Sequence, residues 1–326
     1  MHKYAMKAAA KSEAQLADRV SSFNILQAEP VIELYLSGTD DVFGDNKEEI
    51  IENCKKFSRC EYIVHFPIYD LATKYIYDAF NDENEMLDSL LDFCTEIKSN
   101  VLIMHRCFGF NKEIQKTEAE ERFFEKVILW NKLAYNKKIK ILIENYGFVW
   151  LQDGLGCEYV VSPLDHFFPW DIKDFYKNIS SLNLNNIGIL LDISHAVLSS
   201  NMFNMMQKHP KLKHDKRFKN IYDCDLKQNE GLRIEDFIFD FIEYFHVSDS
   251  FIWRPEDGIN DLKKYLYTEN LQIGSGNIDF LNIFRNIKRN KTIIMEINPE
   301  NGNHIKNVSQ LKAVEYFKKN LDQRGV

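Results

Sequence analysis

The chain alternates between short apolar runs that stop abruptly at a polar residue and longer stretches with helical spacing. The sharpest run is NIGILLDISH, Asn186 to His195, where Ile187, Ile189, Leu190, Leu191 and Ile193 lead into Asp192 and then His195. Such a β-branched-rich run predicts a strand buried on both faces, as in a parallel sheet. Three other runs share its form: IKILIEN (Ile139 to Asn145) ends in Glu144, DFIEYFHVSDS (Asp240 to Ser250) carries His246, and KTIIMEINP (Lys291 to Pro299) carries Glu296. With HKYAMKAAA, PVIELYLSG, EYIVHFP and NVLIMHRC, the strands start near residues 3, 31, 61, 100, 139, 187, 241 and 291. Helical spacing fills the intervals over Ser12 to Ile25, Asn46 to Phe57, Glu83 to Ile97 and Glu118 to Asn136.

Eight βα units predict an α/β chain folded as a (β/α)8 TIM barrel, a single domain over residues 1–326. An open doubly wound sheet would call for a glycine-rich phosphate turn after the first strand, and the sequence has none there. Two long loops follow the fifth and sixth strands, Tyr146 to Trp170 and Ser199 to about Gly231. The first is rich in aromatics, and Trp150, Phe167, Phe168 and Trp170 are expected to cover the mouth of a pocket. In the second, Met202, Met205 and Met206 read as helix core, and the basic run KHPKLKHDKRFK reads as a solvated face.

Residues at the carboxyl ends of barrel strands are held rigidly and face the loops that reach a ligand. Glu144, Asp192, His246 and Glu296 each close such a strand. Asp192 could simply cap the following helix. Four buried ionisable side chains, however, share a simpler partner, a divalent metal with oxygen and nitrogen ligands. Glu33, at the second strand's end, is either a pocket residue or a neutralised rim charge.

Composition narrows the class. The formal charge of -8 argues against a nucleic acid partner. The six cysteines contain no CxxC pair, which suits free thiols in a reducing compartment. With no apolar run of membrane length, the expected location is cytoplasmic and no membrane partner is expected.

The motifs LIEN, LLDISHA, FHVSDS, IGSGNIDF (Ile273 to Phe280) and IMEIN follow one another in an order that resembles the xylose-isomerase-like barrel superfamily. That superfamily includes sugar and sugar-phosphate isomerases and epimerases and, in a related branch, nucleases of the endonuclease IV type. The isomerase branch implies one divalent ion (Mn2+, Mg2+, Zn2+ or Co2+) on Glu144, Asp192, His246 and Glu296, with Glu144 and Glu296 also the catalytic acid and base. It implies His195 as a substrate ligand and Arg254 as a substrate-binding candidate; His65 and His105 stand on the third and fourth strands, where the nuclease branch has further zinc-binding histidines, and read here as substrate-binding or hydrogen-bonded pocket residues. The implied partner is a small polyhydroxylated carbonyl compound, and a homo-oligomer is compatible with it. The nuclease branch would want an Asp-x-His pair before Gly274, where this chain has Thr268, Glu269 and Asn270.

Overall fold

The computed structural model describes residues 2–66, 85–106, 114–146, 164, 167–215, 218, 221–285, 287, 290–299 and 302–322. Its centre is a closed barrel of eight parallel strands in chain order: β1 (Lys3–Ala9), β2 (Val31–Tyr35), β3 (Glu61–His65), β4 (Val101–His105), β5 (Lys140–Glu144), β6 (Ile187–Asp192), β7 (Tyr244–Val247) and β8 (Thr292–Met295). Every expected strand is present.

Period-two alternation along each strand separates two cores. Met6, Ile32, Leu34, Val64, Leu102, Ile141, Ile189, Phe245 and Ile293 point outward and pack with the helices. Ala5, Val31, Ile63, Ile103, Leu142, Leu190 and Ile294 point inward and, with Tyr244 beside them, form an apolar plug. Two positions further along every strand comes an ionisable residue: Lys7, Glu33, His65, His105, Glu144, Asp192, His246 and Glu296. The alternation that builds the plug thus aims one titratable side chain per strand at the carboxyl end of the barrel axis.

The helices begin where the sequence provides caps. Ser12 caps Glu13–Ile25 by accepting from the Gln15 amide, and Asp192 caps Ile193–Lys208 by accepting from the His195 amide at 2.7 Å. The latter helix is buried on nearly every side from Ile193 to Met206. It therefore continues through Ser199 to Lys208, and the irregular part of the long segment after β6 starts only at His209. Met202, Met205 and Met206 are core.

Most of the stretch from Tyr146 to Trp170 lies outside the described residues, Trp150 included. Phe167 and Phe168 are buried just before the helix Pro169–Ser181. Phe167 packs on Phe175, and Phe168 on Trp170 and Phe203. The rest of the segment expected to cover the pocket mouth lies outside the described residues. Among the described residues, no helix is long and apolar enough to cross a membrane.

Candidate metal centre

The site is assembled from the ring of ionisable residues above the plug. Strand register puts Asp192 beside His246, His105 beside Glu144, and Lys7 beside Glu33. His246 lies at the middle. Its Nδ1 is 2.9 Å from both Glu144 Oε1 and Glu296 Oε2 and 3.8 Å from Asp192 Oδ2. Its Nε2 is 2.6 Å from Glu33 Oε2. Glu144, Asp192, His246 and Glu296 each offer an atom within 4.8 Å of the others. The four residues expected to hold a metal thus converge on one point.

Whether they fit a cation is decided by what else those atoms do. Asp192 spends Oδ1 on the His195 amide and the Ser194 hydroxyl, while Oδ2 is buried without a hydrogen-bond partner. Capping therefore leaves the other oxygen of the same carboxylate available to a ligand. Glu144 Oε2 is also buried and accepts no hydrogen bond. Orphaned buried carboxylate oxygens are costly, and a divalent ion would satisfy both, so the donor set suits a hard or borderline metal.

Around these donors, further side chains fix orientation. Asn145 accepts from the Asp192 amide at 2.6 Å and donates to its carbonyl at 3.0 Å, which ties the ends of β5 and β6 together. Glu33 bridges His246 Nε2 and His65 Nδ1, the latter at 3.2 Å. A carboxylate behind a ligating imidazole sets its tautomer and raises its basicity. Glu33 is fully buried, so it is a pocket residue and not a rim charge.

The three remaining histidines line one side. His65 Nε2 and His105 Nε2 are 3.0 Å apart, and Glu144 Oε2 is 3.4 Å from His65 Nε2 and from His105 Nδ1. These three residues form a second group able to hold a metal. His195 Nδ1 donates to the Asn145 carbonyl at 2.8 Å, and its Nε2 is 3.1 Å from Glu269 Oε2. Tyr146 stands edge-on to both His105 and His195. Arg254, in contrast, is exposed at the start of the turn Pro255–Asp257, and none of its described contacts reaches the ring.

Electrostatics follow from burial and proximity. Burial opposes charge on His246, but Glu33, Glu144 and Glu296 outweigh it and raise its pKa well above the usual histidine value. Burial raises Asp192 to about 6, with Glu296 and Glu144 adding to the effect against His195 and His246. His105 is pushed down to about 3, mainly by burial, and is neutral. Glu296 is held well below the usual carboxylate range: burial works against this, and Lys7 and then His246 overcome it.

Three participants carry no flag in the sequence. Lys7 pairs with Glu296 Oε1 from a strand whose Ala5 and Ala9 neighbours do not advertise a core position. Counting two residues on from each inward apolar position would have found it. Asp249 organises the loop before β8: its carboxylate accepts from the amides of Ser250, Gly274, Gly276 and Ile278. A side chain at residue 276 would put Cβ 2.1 Å from the Ser250 carbonyl, so only glycine fits. The FHVSDS and IGSGNIDF motifs are thus two sides of one hydrogen-bonded unit. That unit's antiparallel bridge between Asp249 and Leu271 sets the strand segment that presents Glu269 to His195.

A polar cleft of about 260 Å³ adjoins the ring between the ends of β1 and β8 and is lined by Lys7, Tyr35, Asn270, Glu296, Asn298 and His304, among others. A larger opening, about 360 Å³ around Lys140, Tyr176, Phe241 and Lys291, lies at the opposite end of the barrel and contains no ring residue. Of the two, the smaller one opens onto the ring, through Lys7 and Glu296.

Residues 31–319 match the family described as xylose isomerase-like TIM barrel. No curated protein matches the chain by sequence. Among solved structures, a D-tagatose 3-epimerase-like protein superposes with a TM-score of 0.56 at 18% identity, covering 98% of this chain and 97% of its own. The 3-keto-D-glucoside 4-epimerase YcjR from E. coli does so at 0.53 and 12%, covering 96% and 100%. The IOLI protein with a bound zinc atom gives 0.55 and 12%, covering 98% and 99%. At these identities the likeness is one of fold.

Proposed function

Since the family match runs over most of its length, the chain belongs to the xylose isomerase-like TIM barrel family, and we propose that it is a divalent-metal-dependent isomerase or epimerase of a small sugar, sugar phosphate or similar polyhydroxylated carbonyl compound. The observation that carries this reading is the pair of glutamates, Glu144 and Glu296, each 2.9 Å from the same nitrogen of His246. Glu144, Asp192, His246 and Glu296 would hold the ion. Once bound, it supplies positive charge to an oxygen that becomes anionic as a neighbouring C–H is deprotonated.

The side chains do the rest. Glu144 and Glu296 come from β5 and from the end of β8, so one carboxylate can remove the carbon-bound proton from one face of a ligand while the other, protonated, delivers a proton to the opposite face. His195 is fixed by donating from Nδ1 to the Asn145 carbonyl, and its Nε2, now against Glu269, is the atom that would meet a substrate oxygen in place of Glu269. The Tyr146 ring beside it narrows access for water. In D2O, the metal-loaded protein should place deuterium on the carbon next to the carbonyl of its ketose substrate. No incorporation into any ketose or ketose phosphate, with intact metal content, overturns the reading.

One observation favours a second reading. The group His65, His105 and Glu144 would accept another metal ion next to the first, an arrangement suited to a metallo-phosphodiesterase acting on DNA. Two tightly held ions per chain together with cleavage of abasic DNA would establish that alternative; one ion and deuterium exchange would exclude it.

A further inference from the structure

Lys7 has no part in the family reading, yet it is among the most firmly placed residues of the ring. Its amide donates to Gln310 Oε1 at 2.7 Å, and its carbonyl accepts from Gln310 Nε2 at 3.1 Å and Arg19 Nε at 3.0 Å. Arg19 and Gln310 are themselves buried. The backbone is thereby clamped, and the side chain runs across the barrel mouth with its ammonium 4.4 Å above the Tyr35 ring and paired to Glu296 Oε1. Glu296 turns its other oxygen, Oε2, to His246 and the metal donors.

Two consequences follow. The first concerns charge. Glu144, Asp192 and Glu296 bring three negative charges to one point; a divalent ion offsets two, and the Lys7 ammonium offsets the third. The second concerns access. Lys7 lines the cleft between β1 and β8 and is 22% exposed at its side chain, so a ligand moving inward from Asn270, Asn298 and His304 meets the ammonium next to Glu296. An ammonium has three donors, and Glu296 Oε1 takes one of them.

We propose that Lys7 is a substrate-contacting residue: its ammonium binds an oxygen of the ligand that enters through the cleft between β1 and β8, while its charge completes the neutralisation of the three metal-facing carboxylates. The ligand's class, a polyhydroxylated carbonyl compound, rests on the function proposed above; the position and charge of Lys7 do not. The alternative is that Lys7 only buttresses Glu296 as a ligand, and the two roles move metal affinity in opposite directions.

The experiment compares Lys7→Met and Lys7→Arg with the parent chain. Mn2+ affinity is measured by chelator competition, and binding of D-fructose, D-tagatose and fructose 6-phosphate to the Mn2+-loaded proteins is measured by calorimetry. Removing a like charge beside the ion should tighten Mn2+ binding in Lys7→Met by at least ~10-fold, with Lys7→Arg close to the parent. Binding of the same sugars should weaken by at least ~10-fold in Lys7→Met, as for a lost charge-assisted hydrogen bond, and recover in part in Lys7→Arg. Weaker Mn2+ binding by Lys7→Met, or sugar binding equal to the parent's, overturns the proposal. If no sugar binds the parent chain, the functional reading fails and the ligand contact with it, whereas tighter Mn2+ binding by Lys7→Met still upholds the charge role.

Discussion

The interior of this barrel has two layers that obey the same rule and do opposite work. In the lower one, Ala5, Val31, Ile63, Ile103, Leu142, Leu190 and Ile294 exclude water and fix the strands. In the upper one, two residues further along every strand, stand one lysine, four carboxylates and three histidines. Side chains alternate strictly in a strand, so a slip of one residue would turn either layer outward. The plug therefore does more than fill space: it sets the register that points eight ionisable groups at one axis. The lower layer stabilises the fold by burial alone, while the upper one concentrates buried charges whose burial is costly unless each is paired, here by Lys7 and His246.

The largest effect that would sharpen this contrast is in the upper layer. Glu144→Gln and Glu296→Gln should each lower turnover by ~10² to 10⁴, the usual worth of a general acid or base, and should lower the unfolding midpoint of the metal-free protein, because each leaves His246, or His246 and Lys7, short of a buried partner. Metal content must be measured on the same samples, since a mutant that is merely empty does not test proton transfer. A lower-layer change should act on folding alone. Leu142→Ala, at a fully buried position, should cost about 2 to 5 kcal/mol in denaturant unfolding and leave the number of bound metal ions per folded chain unchanged. Loss of metal with little loss of stability would break the division between the layers.

Much of this was legible in the sequence because most strands end their apolar run at the residue that matters. Glu144, Asp192, His246 and Glu296 each interrupt a β-branched stretch, and a buried charge at a strand end is conspicuous. Glu33 was less so, since Leu34, Tyr35 and Leu36 continue the run past it and hide that it faces inward. Lys7 was invisible for the opposite reason: KYAMKAA has too few large apolar side chains to mark a buried strand. Glu269 depends on a loop that the Asp249 carboxylate folds through four backbone amides, a long-range arrangement that no local pattern encodes. Phe167 and Phe168, read as part of an aromatic cover, are buried beside the start of the helix Pro169–Ser181, a packing that an aromatic-rich loop sequence does not distinguish from a cover.

Smaller effects test the supporting side chains. Glu33 touches His246 on the nitrogen facing away from the other carboxylates, so Glu33→Gln should weaken metal binding by about 10- to 100-fold, measurable by chelator competition. Unchanged affinity would mean that His246 is oriented by the strand alone. The smallest effect is that of pH. Asp192 in the metal-free protein holds its proton up to about pH 6, and that proton must leave before the carboxylate can ligate. His246, whose pKa is raised well above the usual histidine value, must lose its proton as well, so apparent metal affinity should already fall with pH above 6 and fall more steeply, by about a further tenfold per unit, below it, with protons released on binding. The same raised pKa means that the metal-free fold loses stability as pH rises from the ordinary aspartate range towards 6, because ionising a buried carboxylate opposes burial. Metal should remove that loss.

The central claim is that one divalent ion belongs among Glu144, Asp192, His246 and Glu296. Crystals soaked in MnCl2 and measured for anomalous scattering test it without reference to any substrate. The account predicts a strong peak bounded by these four side chains, with ligand atoms at about 2.0 to 2.3 Å, and its loss in Asp192→Asn. A well-ordered barrel with no peak among the four residues, or with its only peak elsewhere, would contradict it.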